Sequence, residues 1–564
     1  LVHLAQKQIL AAYTVYKEQV LAGNKQAKFI IPQGKVLQDF ILSEIVTNME
    51  YSNPVEEMAT MTRVSPVGKS IGGIPGKEAV QVAARNVDQT YFGNIDPLDT
   101  PEGDSIGISQ QLAIGAMVTS SRGLFGVKQV NDKEGAGILS TSSCLIPFVE
   151  NNDGARIQMA CNQARQMLPL KNPTAPAIQS GYESLLTNVL SNYFVKKSPC
   201  DGRIANVTPD YISVYCGKEN KTIKVDITPL HLKSGTGKDT LSVFKPVVIK
   251  GQVVRKDDII AEGSCISGGA IALGRTLCVA FMPYKGYNYE DGIVINERLA
   301  NSDMLTSIHG IIEEVLVGEK DKILNIVNIG TKTEVGQPLL VKTAGEIEEI
   351  IGFDEESEEE GIELGPGRQI IKKSPGGNVV DIEIYSNVAM DKFPNVRELI
   401  ERTNAKIGKI GREKFTISGR PFNGLIIRFK IEQELPIGLG DKLCNRYGNK
   451  GIVSLVEKDE LMPRTPWGDK IDIILNPIGM IGRMNVGQLY ELYCGLISKE
   501  LARRIIEDSN KTRVVNLLKN VLLELDQSPR KEYTAAFIQG LNKLDGAKYN
   551  RFVEQIRNFG FVPL

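Results

Sequence analysis

The stretch GLGDKLCNRYGNKG, residues 438–451, sets Lys442 and Lys450 eight residues apart among four glycines, Gly438, Gly440, Gly448 and Gly451. Glycine lets backbone approach a ligand closely, and the lysine ammonium is a compact point charge suited to phosphate. The pattern fits a polyphosphate or nucleic-acid site, and it also fits two solvated charges on a surface loop. Two arginines offer a second kind of phosphate contact. Arg156 falls three residues after Asp153, the natural N-cap of a helix, and Arg483 directly precedes another helical stretch with Asn485 at the cap position. A helix N-terminus presents free N–H groups and about half a positive charge, and a guanidinium adds a bidentate fork. The plainer reading of each arginine is an ion pair with a carboxylate. In GYNYEDG (286–292), Glu290 and Asp291 place two adjacent carboxylates at strand ends, which suits a hard cation such as Mg2+. Asp291-Gly292 is equally a good hairpin turn. Gly-Lys also occurs in GIPGKEA (73–79) and SGTGKDT (234–240), but without the spacing of a nucleotide-binding P-loop.

These residues need a scaffold of several domains, because 564 residues exceed the roughly 250–300 that one core holds. With 42% hydrophobic and 24% charged residues, the composition is that of a globular chain. The formal net charge of −1 hides an asymmetry: Glu346–Glu363 holds ten acidic residues and no basic one, whereas Glu401–Gly451 holds eleven Lys/Arg against five Asp/Glu. A polyanionic partner is therefore compatible with a nearly neutral chain. Eight scattered cysteines without a Cys-x-x-Cys pair, and only three histidines, give poor material for zinc and read as free thiols in a reducing compartment. No run of about 18 apolar residues spans a bilayer and no signal peptide is visible, so an intracellular, cytoplasmic location without membrane contact is expected. The chain opens on Leu1 rather than Met, as a fragment or processed product would.

Periodicity predicts helices over 3–22, 36–48, 105–120 (capped by Asp104 or Ser105) and 153–168, and a helical stretch from Arg483 onward. Residues 51–110 are rich in Gly and Pro and read as loop. Short β-type runs over 196–285 predict an antiparallel region, and 310–400 repeats that texture around the solvated loop DEESEEE (354–360). In NGLIIRFKIEQ (423–433), Leu425, Ile427, Phe429 and Ile431 alternate with Arg428, Lys430 and Glu432, the pattern of a half-buried strand.

Six segments in order carry a family resemblance: SNPVEEMATMTRVSPVG (52–68), DPLDTPEGDSIG (96–107), DGARIQMACNQARQMLP (153–169), LGRTLCVAFMPYKGYNYEDGIVINERL (273–299), GLGDKLCNRYGNKG (438–451) and DIILNPIGMIGRMNVGQ (472–488). Together they resemble the second-largest (beta) subunit of multisubunit DNA-dependent RNA polymerases, from about residue 30 to 505. The resemblance implies a mixed α and β, multidomain, β-rich fold with a double-psi β-barrel, a β-rich flap (or wall) and a helical C-terminal segment. The implied divisions are a fork region at 1–150, the first hybrid-binding and barrel part at 151–312, the flap at 313–400, the second barrel part at 401–510, and helices at 511–564.

By the same resemblance, Lys442 and Lys450 face the active centre and contact phosphates of the RNA 3′ end and the incoming nucleotide. Arg156 and Arg483 grip the substrate triphosphate. Glu290 and Asp291 stand beside a second Mg2+, through water. Asn162, Arg165 and Gln166 line the RNA and substrate region, and Glu102 lies in the fork loop. The primary Mg2+ belongs to an aspartate triad on the largest (beta-prime-like) subunit, and no Asp-x-Asp-x-Asp occurs here. Nucleotidyltransferase activity is thus expected only within a complex that also holds an N-terminal beta fragment, DNA template, RNA, nucleoside triphosphates and a promoter-specificity factor. Departures accompany the match: Tyr447 stands where the family has histidine, and few residues precede the fork motif. They point to the C-terminal part of a split beta subunit of a large tailed bacteriophage, located in host cytoplasm. The alternative is a non-catalytic nucleic-acid-binding or assembly subunit, against which the joint presence of Lys442, Lys450, Arg156, Arg483 and Asp291 argues.

Overall fold

The computed structural model describes residues 2–31, 34, 37–38, 41, 46, 49–68, 73–119, 125–126, 135–217, 219–232, 239–343, 362–365, 369–407, 416–417, 420–421, 423–526 and 531–564. Helix α1 (Val2–Leu21) occupies the first expected helical stretch. Most of the helix expected over 36–48, the acidic loop 354–360 and most of SGTGKDT lie outside the described residues.

Helix α2 (Pro54–Thr62) stands inside the region expected to be loop. Asn53 accepts from the Val55 and Glu56 N–H groups, and its Nδ2 donates to the carbonyls of Ala164 and Met167 at 3.0 Å and Arg165 at 2.8 Å. It therefore caps the start of α2 and the end of α3 (Gly154–Arg165) at once, and fixes one helix on the other. Pro54 is tolerated because the first N–H of a helix has no partner to lose. The helix expected over 105–120 does not form. A 3-10 turn at Gly103–Ser105 leads to Gln110–Gln111, which pairs antiparallel with Arg63–Val64. Gly107 and Gly115 take φ of 67° and 85°, left-handed values that interrupt a helix.

Strands β1 (Gly202–Val207), β2 (Tyr211–Cys216), β3 (Lys221–Asp226) and β4 (Val253–Val254) form the expected antiparallel sheet, ordered β4-β1-β2-β3. Opposite Gly202 sits Cys216, which brings it beside Cys200, and the two are joined with Cα atoms 5.9 Å apart. This corrects the expectation of free thiols throughout. Among the described residues the other cysteines form no disulfide.

Strands β5 (Val279–Phe281) and β6 (Gly292–Asn296) come next and belong to the sheet that carries the site. Beyond them β7 (Ser307–Gly318), β8 (Ile323–Ile326), β9 (Lys332–Thr343), β10 (Ile362–Gly365), β11 (Gln369–Ser386) and β12 (Gly424–Leu435) build an antiparallel sheet. Its order is β7-β12-β11-β9-β8, with β10 also on β11. Leu425, Ile427, Phe429 and Ile431 are fully buried, as alternation requires, against Val315, Val317, Val379, Ile382 and Ile384. Lys430, on the face expected to meet solvent, is buried as well. It is sustained there by Glu383 at 2.6 Å and Asp381 at 3.3 Å, and Arg402 links Asp381 at 3.1 Å to Asp210 at 2.8 Å on the β1–β2 turn. A buried cation persists only when paired in this way.

Strands β13 (Lys442–Cys444), β14 (Lys450–Glu457) and β15 (Ile473–Leu475) complete a mixed sheet ordered β5-β15-β6-β14-β13. The β5/β15 and β6/β14 pairs are parallel, the others antiparallel. The hairpin reading of Asp291-Gly292 is thereby corrected: β5 and β6 are not neighbours, because the apolar run of β15 pairs with both. The C-terminal part is helical, with α4 (Pro477–Arg483), α5 (Gly487–Glu507), α6 (Lys511–Leu525), α7 (Glu532–Lys543) and α8 (Gly546–Phe559). Helices α5, α6 and α8 enclose Leu501, Ile505, Val514, Leu518, Val553 and Ile556. No helix among the described residues is long and apolar enough to cross a membrane.

Phe429→Ala should cost about 3–5 kcal/mol, because a fully buried ring leaves a cavity. The measurement is amide exchange: faster exchange is expected in β7, β11 and β12, with α5, α6 and α8 unchanged.

Candidate functional site

The lysine hairpin is built by register. In the β13/β14 pair Lys442 stands opposite Ile452 and Cys444 opposite Lys450. Side chains of a strand alternate faces, so Lys442, Cys444 and Lys450 share one face. The two lysines become diagonal neighbours, about 7–8 Å apart with their Cβ atoms somewhat closer. The Cys444 thiol lies between them, and burial pushes it up to about 11, against the pull of both ammonium groups. Among the described residues neither lysine is in an ion pair.

Amides and one guanidinium hold the connecting turn. Asn445 donates its N–H to the Asn449 carbonyl at 2.9 Å, and its side-chain oxygen accepts from the N–H groups of Tyr447 at 2.9 Å and Asn449 at 3.2 Å. Its Nδ2 donates to Gln488 of α5 at 2.9 Å. Arg446 donates to the Ile178 carbonyl at 2.9 Å and to Glu491 at 2.5 Å, with Glu183 at 3.8 Å. Tyr447, the departure from the family histidine, is buried against Ile157 and Cys161 of α3 as a core residue.

Two glycines set how near the hairpin comes to the other charged groups. At Gly448, with φ of 72°, a Cβ would lie 2.5 Å from the Arg156 carbonyl oxygen. At Gly451 it would lie 2.1 Å from the Asp291 carbonyl oxygen, which also accepts the Ile452 N–H at 3.1 Å. Arg156 is the third residue of α3, whose Asp153 cap accepts from Ala155 N–H at 3.2 Å, as expected. Arg483 differs from expectation. It ends α4, a left-handed Met484 follows, and Asn485 does not cap α5. Instead the Asn485 side chain donates to the Tyr447 carbonyl at 3.1 Å and accepts from Gln488 at 2.8 Å, so those buried polar groups consume it.

Arg483 grips Asp291 with both arms, Nη1–Oδ1 at 2.5 Å and Nη2–Oδ2 at 2.8 Å. These bonds hold the Asp291 carboxyl below the usual carboxylate range, and the charges of Arg156 and Lys450 add to the effect. A carboxyl lowered on folding contributes stability above its unfolded value of about 3.9 and loses it as pH falls through the folded value. With 24% and 44% of the two side chains exposed, that contribution is small. Glu290, next to it, is exposed and has a left-handed φ of 51°.

The structure thus gathers Arg156, Lys450, Arg483, Glu290 and Asp291 into one cluster. Lys442, Lys450, Glu102, Asn162, Arg165 and Gln166 line an adjoining cleft of about 2350 Å³. Asn162 donates to the Thr100 carbonyl at 3.1 Å, while Glu102 and Gln166 are exposed. Arg165 is buried and committed to Asp99, with Asn162 at 3.4 Å and Ser142 at 3.5 Å. Arg446, Asn445 and Gln488 escaped the sequence reading as supports, and Asn485 supports the turn instead of the cap expected of it. Arg446 lies within the quoted motif, but its partners Glu183 and Glu491 are remote in sequence, so spacing carried no signal.

As a metal centre the cluster is incomplete: no group of three or more His, Cys, Asp or Glu able to hold an ion occurs among the described residues. Glu290 and Asp291 fit a shared or outer contact to a cation that brings its other ligands with it.

The family described as RNA polymerase Rpb2, domain 6, matches residues 198–555, and that described as RNA polymerase Rpb2, domain 3, matches residues 47–118. The DNA-directed RNA polymerase subunit beta of Mycoplasma genitalium is 28% identical over 572 residues, covering 87% of this chain and 39% of that protein. That of Gloeobacter violaceus is 28% identical over 543 residues, covering 80% and 45%, and that of Staphylococcus aureus 27% over 538 residues, covering 81% and 44%. The chain therefore spans less than half the length of these relatives.

Gly451→Ala must push β14 away from β6. A stability loss of about 1–3 kcal/mol is expected, with faster amide exchange at Ile452. Gly438→Ala, where nothing lies within 4 Å of the added carbon, is the control and should leave both unchanged.

Proposed function

The chain belongs to the family of second-largest RNA polymerase subunits, and from that premise we propose that it forms one side of the active centre of a multisubunit DNA-directed RNA polymerase. The supporting observation is the convergence of Arg156, Lys450 and Arg483 on Asp291, from four separated segments. In the reaction the RNA 3′ hydroxyl loses its proton and attacks the α-phosphate of a nucleoside triphosphate. A P–O bond forms and the bond to pyrophosphate breaks.

Positive charge fixed before the reaction stabilises the charge that spreads over the phosphates, without reorganisation during it. Lys442 and Lys450, free of ion pairs among the described residues, take phosphates of the RNA 3′ end and the incoming nucleotide. Arg156 and Arg483 take the triphosphate, and Asp291 and Glu290 approach the Mg2+ that accompanies it. That ion neutralises phosphate oxygens when bound, and the primary Mg2+ comes from the aspartate triad of a largest-subunit partner. Asn162, Gln166 and Glu102 line the path of RNA and template, braced by Arg165 on Asp99. The mixed β5-β15-β6-β14-β13 sheet is this chain's part of the double-psi barrel, and the strands of the second sheet that fall within 313–400 are the flap (or wall), with β12 in the second barrel part. Other polymerase subunits, template DNA and a promoter-specificity factor complete the assembly.

The purified chain should make no RNA on a DNA template, and activity should appear when a partner carrying the aspartate triad is added. Template-directed synthesis by the chain alone would refute this reading.

Lys442→Ala and Lys450→Ala should impair initiation more than elongation, because an initiating dinucleotide has few other contacts. Each lost charge-assisted contact is worth about 1.5–3 kcal/mol, roughly 10- to 150-fold. Abortive-product yield is compared with extension of a preassembled primer. Equal losses in both assays would assign the lysines to assembly or folding.

A further inference from the structure

The Arg483–Asp291 pair poses a problem for the function just proposed, and the inference here rests on that reading. Both groups are assigned to ligands, yet each occupies the other: the guanidinium fork spans both carboxylate oxygens, at 2.5 and 2.8 Å. We propose that the pair is an exchange latch, which opens to a polyphosphate only when a divalent cation arrives with it. Phosphate then takes the Arg483 fork while the cation takes the Asp291 carboxylate.

Charge makes the two exchanges depend on each other. An anion entering alone draws Arg483 away and leaves the Asp291 carboxylate facing another negative charge. A cation entering alone releases Arg483, so that it meets three positive groups, Arg483, Arg156 and Lys450, all close enough to act on that carboxylate. Either ligand alone thus opens the pair against repulsion. Together they replace one bidentate ion pair with two charge-matched contacts. Two ligands that each ease the entry of the other are positively coupled, and the coupling is reciprocal.

The geometry permits the motion. Both side chains are partly exposed, 24% for Arg483 and 44% for Asp291, so ligands reach them without opening a core. Arg483 ends a seven-residue helix whose Gly479 and Gly482 leave space: a Cβ at Gly482 meets nothing within 4 Å, and one at Gly479 meets nothing nearer than Arg483 Nη1 and the Glu290 carbonyl oxygen, both at 4.0 Å. Lys450 and Arg156 are in no ion pair with Asp291, so Arg483, which spans both carboxylate oxygens, is the cation that must change partner.

The test is calorimetric titration of the full chain with inorganic triphosphate, with and without excess Mg2+. Inorganic triphosphate isolates the phosphate contacts from those of base and ribose. Wild type should bind at least about tenfold more tightly with Mg2+ than without it. Asp291→Asn frees Arg483 and should bind metal-free triphosphate about tenfold more tightly than wild type, with little further gain from Mg2+. Glu290→Gln removes the same charge from the adjacent position without freeing Arg483. It should raise metal-free affinity less and keep the preference for Mg2+. Equal metal-free gains in the two variants, or no gain in Asp291→Asn, would overturn the latch while leaving the polyphosphate site standing. Wild type that binds triphosphate under neither condition would overturn the site, and the latch with it.

Discussion

The site depends on a steric constraint at Gly451. A single methyl group there would stand 2.1 Å from the Asp291 carbonyl oxygen, a distance no carbon tolerates. Only its absence lets β14 lie against β6 closely enough for Ile452 N–H to reach that carbonyl at 3.1 Å. The same closeness at Gly448, under the Arg156 carbonyl, seats the turn on α3. Backbone contact at these two points brings charges from distant parts of the chain into one field. Side chains alone, with their many rotamers, would not hold Lys450, Arg156 and Asp291 so tightly.

The cations of the site fall into two roles, and Arg156, in no ion pair among the described residues, stands with the lysines. Arg165, Arg446 and Arg483 are each engaged by carboxylates, at Asp99, Glu491 and Asp291. A planar fork suits this, because it makes two directed bonds at once. Lys442 and Lys450 are outside ion pairs among the described residues, and their turn is held by neutral amides of Asn445, Asn449 and Gln488. Bracing a basic loop with amides positions the ammonium groups without neutralising them. Arg446 sits between the two lysines and ties the loop to Ile178 and α5, so one cation of the motif holds it in place while the two lysines stay outside ion pairs among the described residues.

Away from the site, paired burial of charge joins sheet to sheet. Lys430 lies among Asp381 and Glu383, and Arg402 carries the network on to Asp210 at the β1–β2 turn. Such a network adds little net stability, but losing one member would strand the others in an apolar setting. It fixes the four-stranded sheet against the six-stranded one.

By itself the sequence determined what local rules govern. The 3.6-residue period located α1 and α3 and the Asp153 cap, and strict alternation marked Leu425, Ile427, Phe429 and Ile431 as the inner face of β12. Ordered motifs identified the family and named Lys442, Lys450, Arg156, Arg483 and Asp291 as the residues to watch. Local rules failed where a distant segment decided the outcome. Residues 105–120 had helical spacing, but two left-handed glycines and pairing with Arg63–Val64 drew them out of a helix. Asp291-Gly292 looked like a hairpin until β15, some 180 residues further on, came between its strands. Lys430 looked solvated until two carboxylates of β11 met it inside, and Asn485 looked like a cap until Tyr447 and Gln488 took its side chain. The partner of Arg483 was legible only as a type, a carboxylate or a phosphate, and folding made it Asp291. Sequence spacing encodes which faces turn inward, because backbone periodicity is local. Which buried polar group meets which is set by chain segments hundreds of residues apart, and only the tertiary structure brings them within hydrogen-bond reach.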